Sequence, residues 1–517
     1  MPQNYRIVLA VAVIAVLVVG GCGGGGGGGN GGDQPPGAFF EDDSVSTSEP
    51  SEVGDIDLPN GQTVEAAADQ VIVEVSDGAT SADRAELQAY LRQRDAEIVA
   101  QHPDLDRVLV ESPNQATTEQ LLAGLSSVQG VRSTLPNITV TMNDDTAYDP
   151  DPASFDGDYW IDQIHAKEAW QMAVDRRGEV NGDIVLGMVD SGIDANASFD
   201  GGQIQIMKRY WFFTGYDEIG HGTHVAGLMV APGDDGYGAC GVAWGNTLRV
   251  YDWYAEAGTA DALFVWDIAE AITAAIKDGA KVINVSAGAN TYRYDASGNV
   301  IGFVSHSKCI ARQQSFRENM SAAVRLAASP GYSALVVFAA GNDGAVVKDD
   351  NQLLPPLSSS ATDEEIAARQ AALQAWDDNS LIVAATDDAG NETSFTREGT
   401  VVDIAAPGAC IGSAQCRNLS TRPECPQPTT HGVRLDSGTS MSAPIVAGVA
   451  GLSWSFDPSL SAYQVKDLIV TSGGESRTDI GGGIVNAARA LPPGSGDITI
   501  SQVPFDFGTT RMYPVAF

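Results

Sequence analysis

The chain has 517 residues, enough for about three domains, and its 43% hydrophobic and 7% aromatic content is that of an ordinary globular protein. Its 29 Lys and Arg residues stand against 67 Asp and Glu residues, which gives a formal net charge of −38. So acidic a surface repels the phosphates of nucleic acids, and nucleic acid is excluded as the main partner.

The first 22 residues have the features of a targeting segment. Arg6 precedes an apolar run at residues 7–19, which is too short to cross a bilayer comfortably. The run ends in small residues before Cys22, and this ending resembles the signal of bacterial lipoproteins. The resemblance implies that Cys22 carries the lipid anchor of an exported protein, which attaches its N-terminus to a membrane of the bacterial cell envelope. Secretion after a nearby cleavage is the alternative.

Residues 23–68 are predicted to be a linker. An unbroken glycine run at residues 23–29 cannot pack, and an acidic stretch rich in Ser and Pro follows it. Low hydrophobicity combined with high charge is typical of segments that lack a folded core. We therefore expect a flexible tether ahead of the first folded domain.

Residues 69–143 alternate between strand and helix patterns. The predicted elements are strands at 71–75, 97–100, 107–111 and 131–142 and helices at 81–94 and 117–125. Their order, βαββαβ, is that of a split βαβ or ferredoxin-like α+β domain, a small fold with many functions. An acidic loop at 144–158 connects this domain to the rest of the chain.

Two candidate catalytic residues follow in separate blocks. Residues 183–194, DIVLGMVDSGID, contain an apolar run that ends in an acid and a Gly turn, the pattern of a buried parallel strand that delivers Asp190 at its carboxyl end. His221 precedes a helix of small residues in the block GHGTHVAG. Since His224 stands three residues later, a metal pair is a second interpretation, but the acid of an HExxH site is missing.

Three later blocks complete the pattern. KVINVSAG at 281–288 and ALVVFAAGNDG at 334–344 are buried strands that end in small or polar residues. SGTSMSAPIVAGVAGL indicates a turn that enters a tightly packed helix, with Ser440 at the helix N-terminus. The helix dipole and the unpaired N–H groups there favour negative charge, as a serine beside a developing oxyanion requires.

The blocks VDSGID, HGTHVAG, AAGNDG and GTSMSAP resemble the signature blocks of subtilisin-like serine proteases, in that family's chain order Asp, His, Ser. The resemblance covers residues 159–491. It implies an α/β fold, in which a three-layer catalytic domain with a parallel sheet is preceded by a ferredoxin-like α+β propeptide domain.

The resemblance also implies a role for each site residue. Ser440 attacks the peptide carbonyl, His221 acts as the general base, and Asp190 orients the imidazole. Asn342 donates its side-chain amide to the oxyanion. Three residues are implied to pair with the substrate backbone: Ser286, Ala287 and Gly288. Ala287 stands where many relatives carry Leu, so we expect a smaller pocket wall.

The implied function is that of a serine endopeptidase that hydrolyses the peptide bonds of proteins through an acyl-enzyme intermediate. Its partners are expected to be protein or peptide substrates and its own propeptide, an intramolecular inhibitor that the enzyme removes by cutting in the linker 144–158. We expect a monomer. A catalytically silent surface-binding protein and a permanently latent precursor, both on a subtilisin-like fold, are the alternatives.

No cofactor is required for this chemistry, and no metal ligand is assigned. Structural calcium is one interpretation of acidic clusters such as residues 349–351, although no EF-hand loop is present in the sequence. A heavily solvated exterior is the simpler interpretation of the same charges.

Three segments are interpreted as insertions, at 291–319, 345–376 and 410–431. A helix at 320–329 is predicted to follow the first insertion, and a helix at 363–375 lies within the second. Apart from Cys22, the five cysteines predict one or two disulfides across the insertions and one free thiol. Zinc is a weaker alternative, because no Cys-x-x-Cys spacing occurs.

The chain ends in a segment rich in Pro and Gly, whose VPFDFGTT resembles the first strands of an Ig-like β-sandwich and which is too short to form one. The predicted division is a signal at 1–22, a linker at 23–68, a propeptide-like domain at 69–143, a processing linker at 144–158, a catalytic domain at 159–491 and a tail at 492–517.

Overall fold

The computed structural model describes residues 39–40, 53–76, 78–142, 159–180, 182–194, 199, 203–207, 217, 219–233, 239–253, 263–294, 300–347, 363–415, 433–474, 477 and 479–493. The expectations for Cys22, the glycine run, the processing linker and nearly all of the tail lie outside the described residues. No helix in the described ranges combines the length and apolar character that crossing a membrane requires.

The N-terminal domain, residues 53–142, is an antiparallel sheet with two helices. Its elements are β1 Val53–Asp57, β2 Thr63–Val75, α1 Ser81–Arg92, β3 Glu97–His102, β4 Arg107–Glu111, α2 Gln115–Gly124 and β5 Val131–Met142. The strand order β5-β2-β4-β3 confirms the predicted βαββαβ domain, and β1 adds a strand by pairing with the first half of β2. Thr80 caps α1 and Asn114 caps α2, each by accepting a backbone N–H of the first turn.

Part of the predicted linker is folded. The prediction is wrong for residues 53–68, because they include β1 and the start of β2. Buried Ile56, Val64 and Ala66 lie among acidic neighbours, so a strand pattern is hidden in a short and highly charged stretch. Arg and Lys side chains from a helix far along the chain pair with those acidic residues, and no local pattern indicates such partners.

The large domain, residues 159–493, contains the remaining helices and strands. Its helices are α3 Tyr159–Gln163, α4 Ala166–Arg177, α5 His221–Val230, α6 Val265–Lys277, α7 His306–Ala328, α8 Asp363–Asn379, α9 Thr439–Phe456 and α10 Ala462–Ser472. Its strands are β6 Val185–Asp190, β7 Ile204–Ile206, β8 Thr247–Asp252, β9 Leu263–Phe264, β10 Val282–Val285, β11 Ala287–Ala289, β12 Tyr292–Tyr294, β13 Val300–Phe303, β14 Leu335–Ala339, β15 Val346–Val347, β16 Ser380–Thr386, β17 Glu398–Gly399, β18 Ile404–Pro407, β19 Ile411–Ala414 and β20 Val433–Asp436.

Seven strands of the large domain form one parallel sheet in the order β7-β8-β6-β10-β14-β16-β18. The strands are apolar on both faces because helices cover both sides. In β14, for example, Leu335 and Val337 join the core that contains α5 and α9, whereas Val336 and Phe338 join the core that contains α6 and α7. The predicted three-layer α/β architecture is therefore confirmed.

The core on the α6 and α7 side continues into the N-terminal domain, so the two domains share one apolar cluster. Polar contacts lie within this interface. Arg107 of β4 donates to the carbonyl of Asn319 in α7 at 2.6 Å and forms an ion pair with Glu74 at 2.8 Å. Because Arg107 is 1% exposed, this contact is part of the packed interface and is shielded from solvent.

The first insertion consists of a β12–β13 hairpin and the first half of α7. The predicted helix at 320–329 is wrong at its start, because α7 begins at His306. The apolar periodicity fails in the first half, where the polar side chains of Arg312, Gln313 and Arg317 are buried. The helix pattern was therefore hidden by polar side chains that are buried.

The other insertions are described in part. α8 packs against α7 and α10, and its Trp376 stacks on Phe338 with ring centroids 5.5 Å apart. This helix therefore lies on the α6 and α7 side of the sheet.

Cys410 is disulfide-bonded, and residues 416–432 lie outside the described residues. Cys240 and Cys309 are both thiols, whereas the sequence analysis predicts a single thiol outside the disulfides.

Candidate active site

Three of the predicted site residues lie just at or beyond the carboxyl ends of neighbouring strands. Asp190 ends β6, Ser286 follows β10, and Asn342 lies shortly after β14. Because β6, β10 and β14 are adjacent and parallel, their carboxyl ends bring these residues to one edge of the sheet. The N-termini of α5 and α9 add His221 and Ser440.

Asp190 and His221 are in direct contact. The carboxylate Oδ1 of Asp190 lies 2.6 Å from Nδ1 of His221, and the two residues are 0% and 1% exposed. The backbone N–H of Ser191 donates to the same oxygen at 2.8 Å and fixes the carboxylate. A carboxylate at Nδ1 selects the tautomer that carries its proton there, which leaves Nε2 as the basic nitrogen.

A second buried acid, Asp217, supports this contact and was missed by the sequence analysis. It accepts the Thr223 N–H of the first turn of α5 at 2.7 Å and the Ser191 hydroxyl at 2.8 Å. The Ser191 hydroxyl in turn accepts the Gly222 N–H at 3.0 Å. Burial raises the pKa of Asp217, and the neighbouring Asp190 adds to this effect. An acid in the loop just before a helix is the capping signal that could have identified it.

The close approach of α5 to β6 requires glycine at position 222. A Cβ on Gly222 would lie 2.1 Å from the carbonyl oxygen of Gly192 and 3.1 Å from Oδ1 of Asp190. Any side chain there would separate the helix from the strand end, and with it His221 from Asp190.

Ser440 lies in the first turn of α9 and is 0% exposed. Its hydroxyl donates to the backbone carbonyl of Ser286 at 3.1 Å, and the Ser286 hydroxyl donates to the backbone carbonyl of Ser440 at 3.1 Å. These reciprocal bonds join the start of α9 to the segment that follows β10. Two predicted site residues from distant parts of the chain are thus in contact.

Asn342 is held by its side-chain oxygen. That oxygen accepts the backbone N–H of Thr439 at 2.9 Å and the Thr439 hydroxyl at 2.8 Å. Its amide nitrogen is buried and has no hydrogen-bond partner among the described residues. A buried N–H group without an acceptor is costly, and in a site it is available to a charge that forms during a reaction.

Arg397 holds the loop that carries Asn342. Its guanidinium donates to the carbonyl of Ala340 at 2.6 Å and forms an ion pair with Asp343, and its backbone N–H donates to Gly341 at 3.0 Å. The side chains of Arg397 and Asp343 are 1% and 0% exposed. The loop is therefore fixed on both sides of Asn342 by one buried cation.

His224 does not face the other site residues. Its Nε2 lies 3.0 Å from the carbonyl of Ile411 and 3.1 Å from that of Arg434, so Nε2 carries a proton and donates. Burial lowers its pKa to about 4, which keeps the ring neutral. These contacts give His224 a structural role, in which it joins α5 to β19 and β20. Within the described ranges, no group of three or more His, Cys, Asp or Glu side chains is arranged to hold a metal ion.

The last residues of β5 lie along the predicted substrate-binding segment. Ala287 and Gly288 of β11 pair antiparallel with Met142 and Thr141, and β9 pairs with the same strand at residues 139–140. The end of the N-terminal domain is thus an inner strand between two edges of the large domain. Its position beside Ser286, the hydrogen-bond partner of Ser440, is that of an extended peptide in a cleft.

Two family profiles match the chain. The Subtilase family matches residues 94–488, and the fervidolysin N-terminal prodomain matches residues 46–137. The second match begins inside the predicted linker, in agreement with the folded β1.

The chain is also similar to individual proteins. It is 30% identical to Thermitase of Thermoactinomyces vulgaris over 310 residues, which is 58% of this chain and 84% of the relative. It is 30% identical to the Extracellular protease of Xanthomonas campestris pv. campestris over 276 residues, 52% of this chain and 40% of the relative. The crystal structure of fervidolysin from Fervidobacterium pennivorans, a keratinolytic enzyme related to subtilisin, has a TM-score of 0.53 at 21% identity and covers 88% of this chain and 67% of that one. This last likeness concerns the fold.

Proposed function

Because the chain belongs to the subtilase family of serine peptidases, we propose that it is an endopeptidase that cuts proteins with Ser440 as the nucleophile, His221 as the general base and Asp190 as the orienting acid. The observation that carries this proposal is the buried 2.6 Å contact between Asp190 and His221, at the same sheet edge as Ser440 in the first turn of α9. An Asp–His pair beside a serine at a helix N-terminus is the arrangement that acyl transfer requires.

In the proposed reaction, the Ser440 hydroxyl turns from the Ser286 carbonyl to Nε2 of His221 and gives up its proton as its oxygen attacks the peptide carbonyl. The imidazolium that forms is stabilised by Asp190. His221 then protonates the leaving amine, and a water molecule hydrolyses the acyl-enzyme by the same steps in reverse.

The oxyanion is proposed to be held by the amide nitrogen of Asn342 and by the backbone N–H of Ser440. The buried, unpartnered amide of Asn342 supports this role, since its oxygen is already held by Thr439. A donor fixed before the reaction stabilises the developing charge without having to reorganise.

The N-terminal domain is proposed to be an intramolecular inhibitor that the enzyme removes from itself. Its match to the fervidolysin prodomain supports this, as does the pairing of β5 with β11 and β9. While β5 lies in the cleft, a substrate strand cannot pair with the same edges.

The test is intact mass and N-terminal sequencing of the full chain and of Ser440→Ala. We expect the parent chain to be cut between Met142 and Tyr159 and the variant to stay uncut. Removing the nucleophile should lower kcat by about 10⁶, as it does in subtilisin. The matched control is Ser453→Ala on the same helix, whose hydroxyl donates to Ala490, and it should still be cut.

The alternatives give different results. A cut in both chains would mean that another protease acts on the linker. A parent chain that stays uncut and does not turn over casein would contradict the proposal and favour a silent binding protein or a permanently latent precursor.

We also propose that the protein acts outside the cytoplasm, with Cys22 as a lipid anchor. One similar protein is named an extracellular protease, and this name supports export. Structural calcium remains part of the proposal, without assigned ligands, and no cofactor takes part in the proposed chemistry.

A further inference from the structure

The far end of the cleft contains a carboxylate held by residues of both domains. Oε1 of Glu65 accepts the Thr139 hydroxyl at 2.8 Å and the Asn290 side-chain amide at 3.1 Å. Its second oxygen, Oε2, lies 3.5 Å from the Arg312 guanidinium. Glu65 and Thr139 belong to the N-terminal domain, whereas Asn290 and Arg312 belong to the large domain.

Arg312 is fixed next to the edge strand of the cleft. It donates to the backbone carbonyl of Asn290 at 2.7 Å, and Asn290 directly follows β11. The backbone N–H of Asn290 donates to the carbonyl of Thr139 at 3.2 Å, which extends the pairing of β11 with β5 by one residue. The cation is therefore attached to the segment that would bind a substrate strand.

Release of the N-terminal domain would remove the two acids that pair with this cation in the described part of the chain, Glu65 at 3.5 Å and the more exposed Asp55 at 3.9 Å. The Arg312 side chain is only 4% exposed in the inhibited chain, and its Nε is buried without a hydrogen-bond partner in the described structure. A cation in such a site gains from a new carboxylate, and a planar guanidinium beside an amide is suited to bind one.

Resting on the proposed function, we propose that Arg312 and Asn290 form a carboxylate-binding subsite in the processed enzyme. This subsite selects substrates that carry an acidic residue at the position that Thr139 takes in β5. A substrate strand in the register of β5 presents a side chain there, three residues before the one that pairs with Ala287. A glutamate at that position is longer than threonine and reaches the place of the Glu65 carboxylate.

The experiment uses the self-processed enzyme and two internally quenched peptides of residues 133–158, with Glu or Gln in place of Thr139. We expect kcat/KM of the parent enzyme to be about tenfold higher for the Glu peptide, since a charged hydrogen bond in a shielded site contributes on that scale. In Arg312→Gln the ratio of the two kcat/KM values should fall to about one. Arg312→Lys should keep part of the preference.

The matched control is Lys308→Gln, one helical turn away, which removes a cation that pairs with Asp55 and is 42% exposed. It should leave the tenfold ratio unchanged. Equal cleavage of both peptides by the parent would overturn the inference, as would a preference that survives in Arg312→Gln. If Arg312→Gln does not fold or process, the ratio of kcat/KM for the two peptides in the parent and in Arg312→Lys still tests the inference. Cleavage of neither peptide by the parent would instead overturn the proposed peptidase, and this subsite with it.

Discussion

Asn342 depends on a residue that takes no part in the proposed reaction. Arg397 and Asp343 form an ion pair in a site that excludes water, and the pair spans the loop on which Asn342 lies. Burial raises the pKa of Cys309 to about 11, and the Asp343 carboxylate adds to this, so the thiol remains a neutral neighbour of the pair. The loop is therefore organised around one buried positive and one buried negative charge.

Arg397→Leu should lower the free energy of unfolding and kcat, with a smaller effect on KM. The substitution leaves the Asp343 carboxylate buried without its cation, which costs about 3–5 kcal/mol. The free energy of unfolding, measured with urea in the Ser440→Ala background, should fall by that amount. In the active background kcat should fall more than KM changes, because Asn342 loses its position while the β11 edge does not.

The control for this prediction removes both charges. Arg397→Leu combined with Asp343→Leu should recover a large part of the lost stability, since no unpaired charge remains. A loss below about 1 kcal/mol in the single variant would contradict the role given to Arg397.

At the scale of residues, the sequence identified the members of the candidate site better than the residues that support them. Asp190, His221, Asn342 and Ser440 lie in short blocks whose order is recognisable, and the structure brings them to one sheet edge. Arg397 could not be predicted, because it meets Asp343 only after folding brings two separate segments together. Contacts of this kind leave no local pattern in a sequence.

At the scale of elements, the distance between α5 and β6 determines the contact between His221 and Asp190. Gly222→Ala places a methyl group against the Gly192 carbonyl, and overpacking of this kind costs about 1–3 kcal/mol. We expect the variant to fold but to process itself much more slowly, because α5 is displaced from Asp190. The rate of appearance of the cut product measures the effect.

Met229→Leu, on the same helix, is the comparison for Gly222→Ala. It changes a buried side chain at nearly constant volume and should process at close to the parent rate. Normal processing by Gly222→Ala would show that α5 can move without loss of function.

The elements that the sequence predicted well are those with a simple environment. β6, β10 and β14 are apolar on both faces, so their runs of Val, Ile and Leu identify them. β1 and the first half of α7 were missed because each is polar or charged and is stabilised by the other domain. Their patterns have meaning only once the interface between the domains exists.

At the scale of the whole molecule, two acids at the interface between the domains have pKa values that are shifted in opposite directions. Burial and the nearby Glu74 raise the pKa of Glu318 to about 8, against the weaker effects of Arg369 and Arg107. Glu74 itself is buried, but Arg107 and Arg325 outweigh the burial and lower its pKa to about 2. Of these two acids, Glu318 is therefore the one that changes its charge in the associated state between pH 5 and 8.

Release of the cut N-terminal domain should therefore become easier as pH rises. We expect release to expose Glu318 and to remove Glu74, which lowers the pKa of Glu318 towards its ordinary value of 4.5; the bound state then holds an extra proton that is lost as pH rises towards 8. The affinity of the processed enzyme for the cut domain should be constant below about pH 4.5. It should fall by about tenfold or more between pH 5 and pH 8. Co-elution of the cut domain with the processed enzyme measures it.

Glu318→Gln provides the comparison for this pH dependence. The amide cannot ionise, so co-elution should change little between pH 5 and 8. Tighter association of the parent at pH 8 than at pH 5 would contradict the assignment, because it would require a group whose pKa is lowered in the complex.

A single strand, β5, belongs to two sheets. Its first part pairs with β2 inside the N-terminal domain, and its last residues pair with β11 and β9 of the large domain. If the chain is cut beyond Met142, as proposed, this end of β5 must leave both edges before a substrate strand can pair with them. The delay between cutting and full activity would then reflect how tightly the shared segment and the rest of the interface are held.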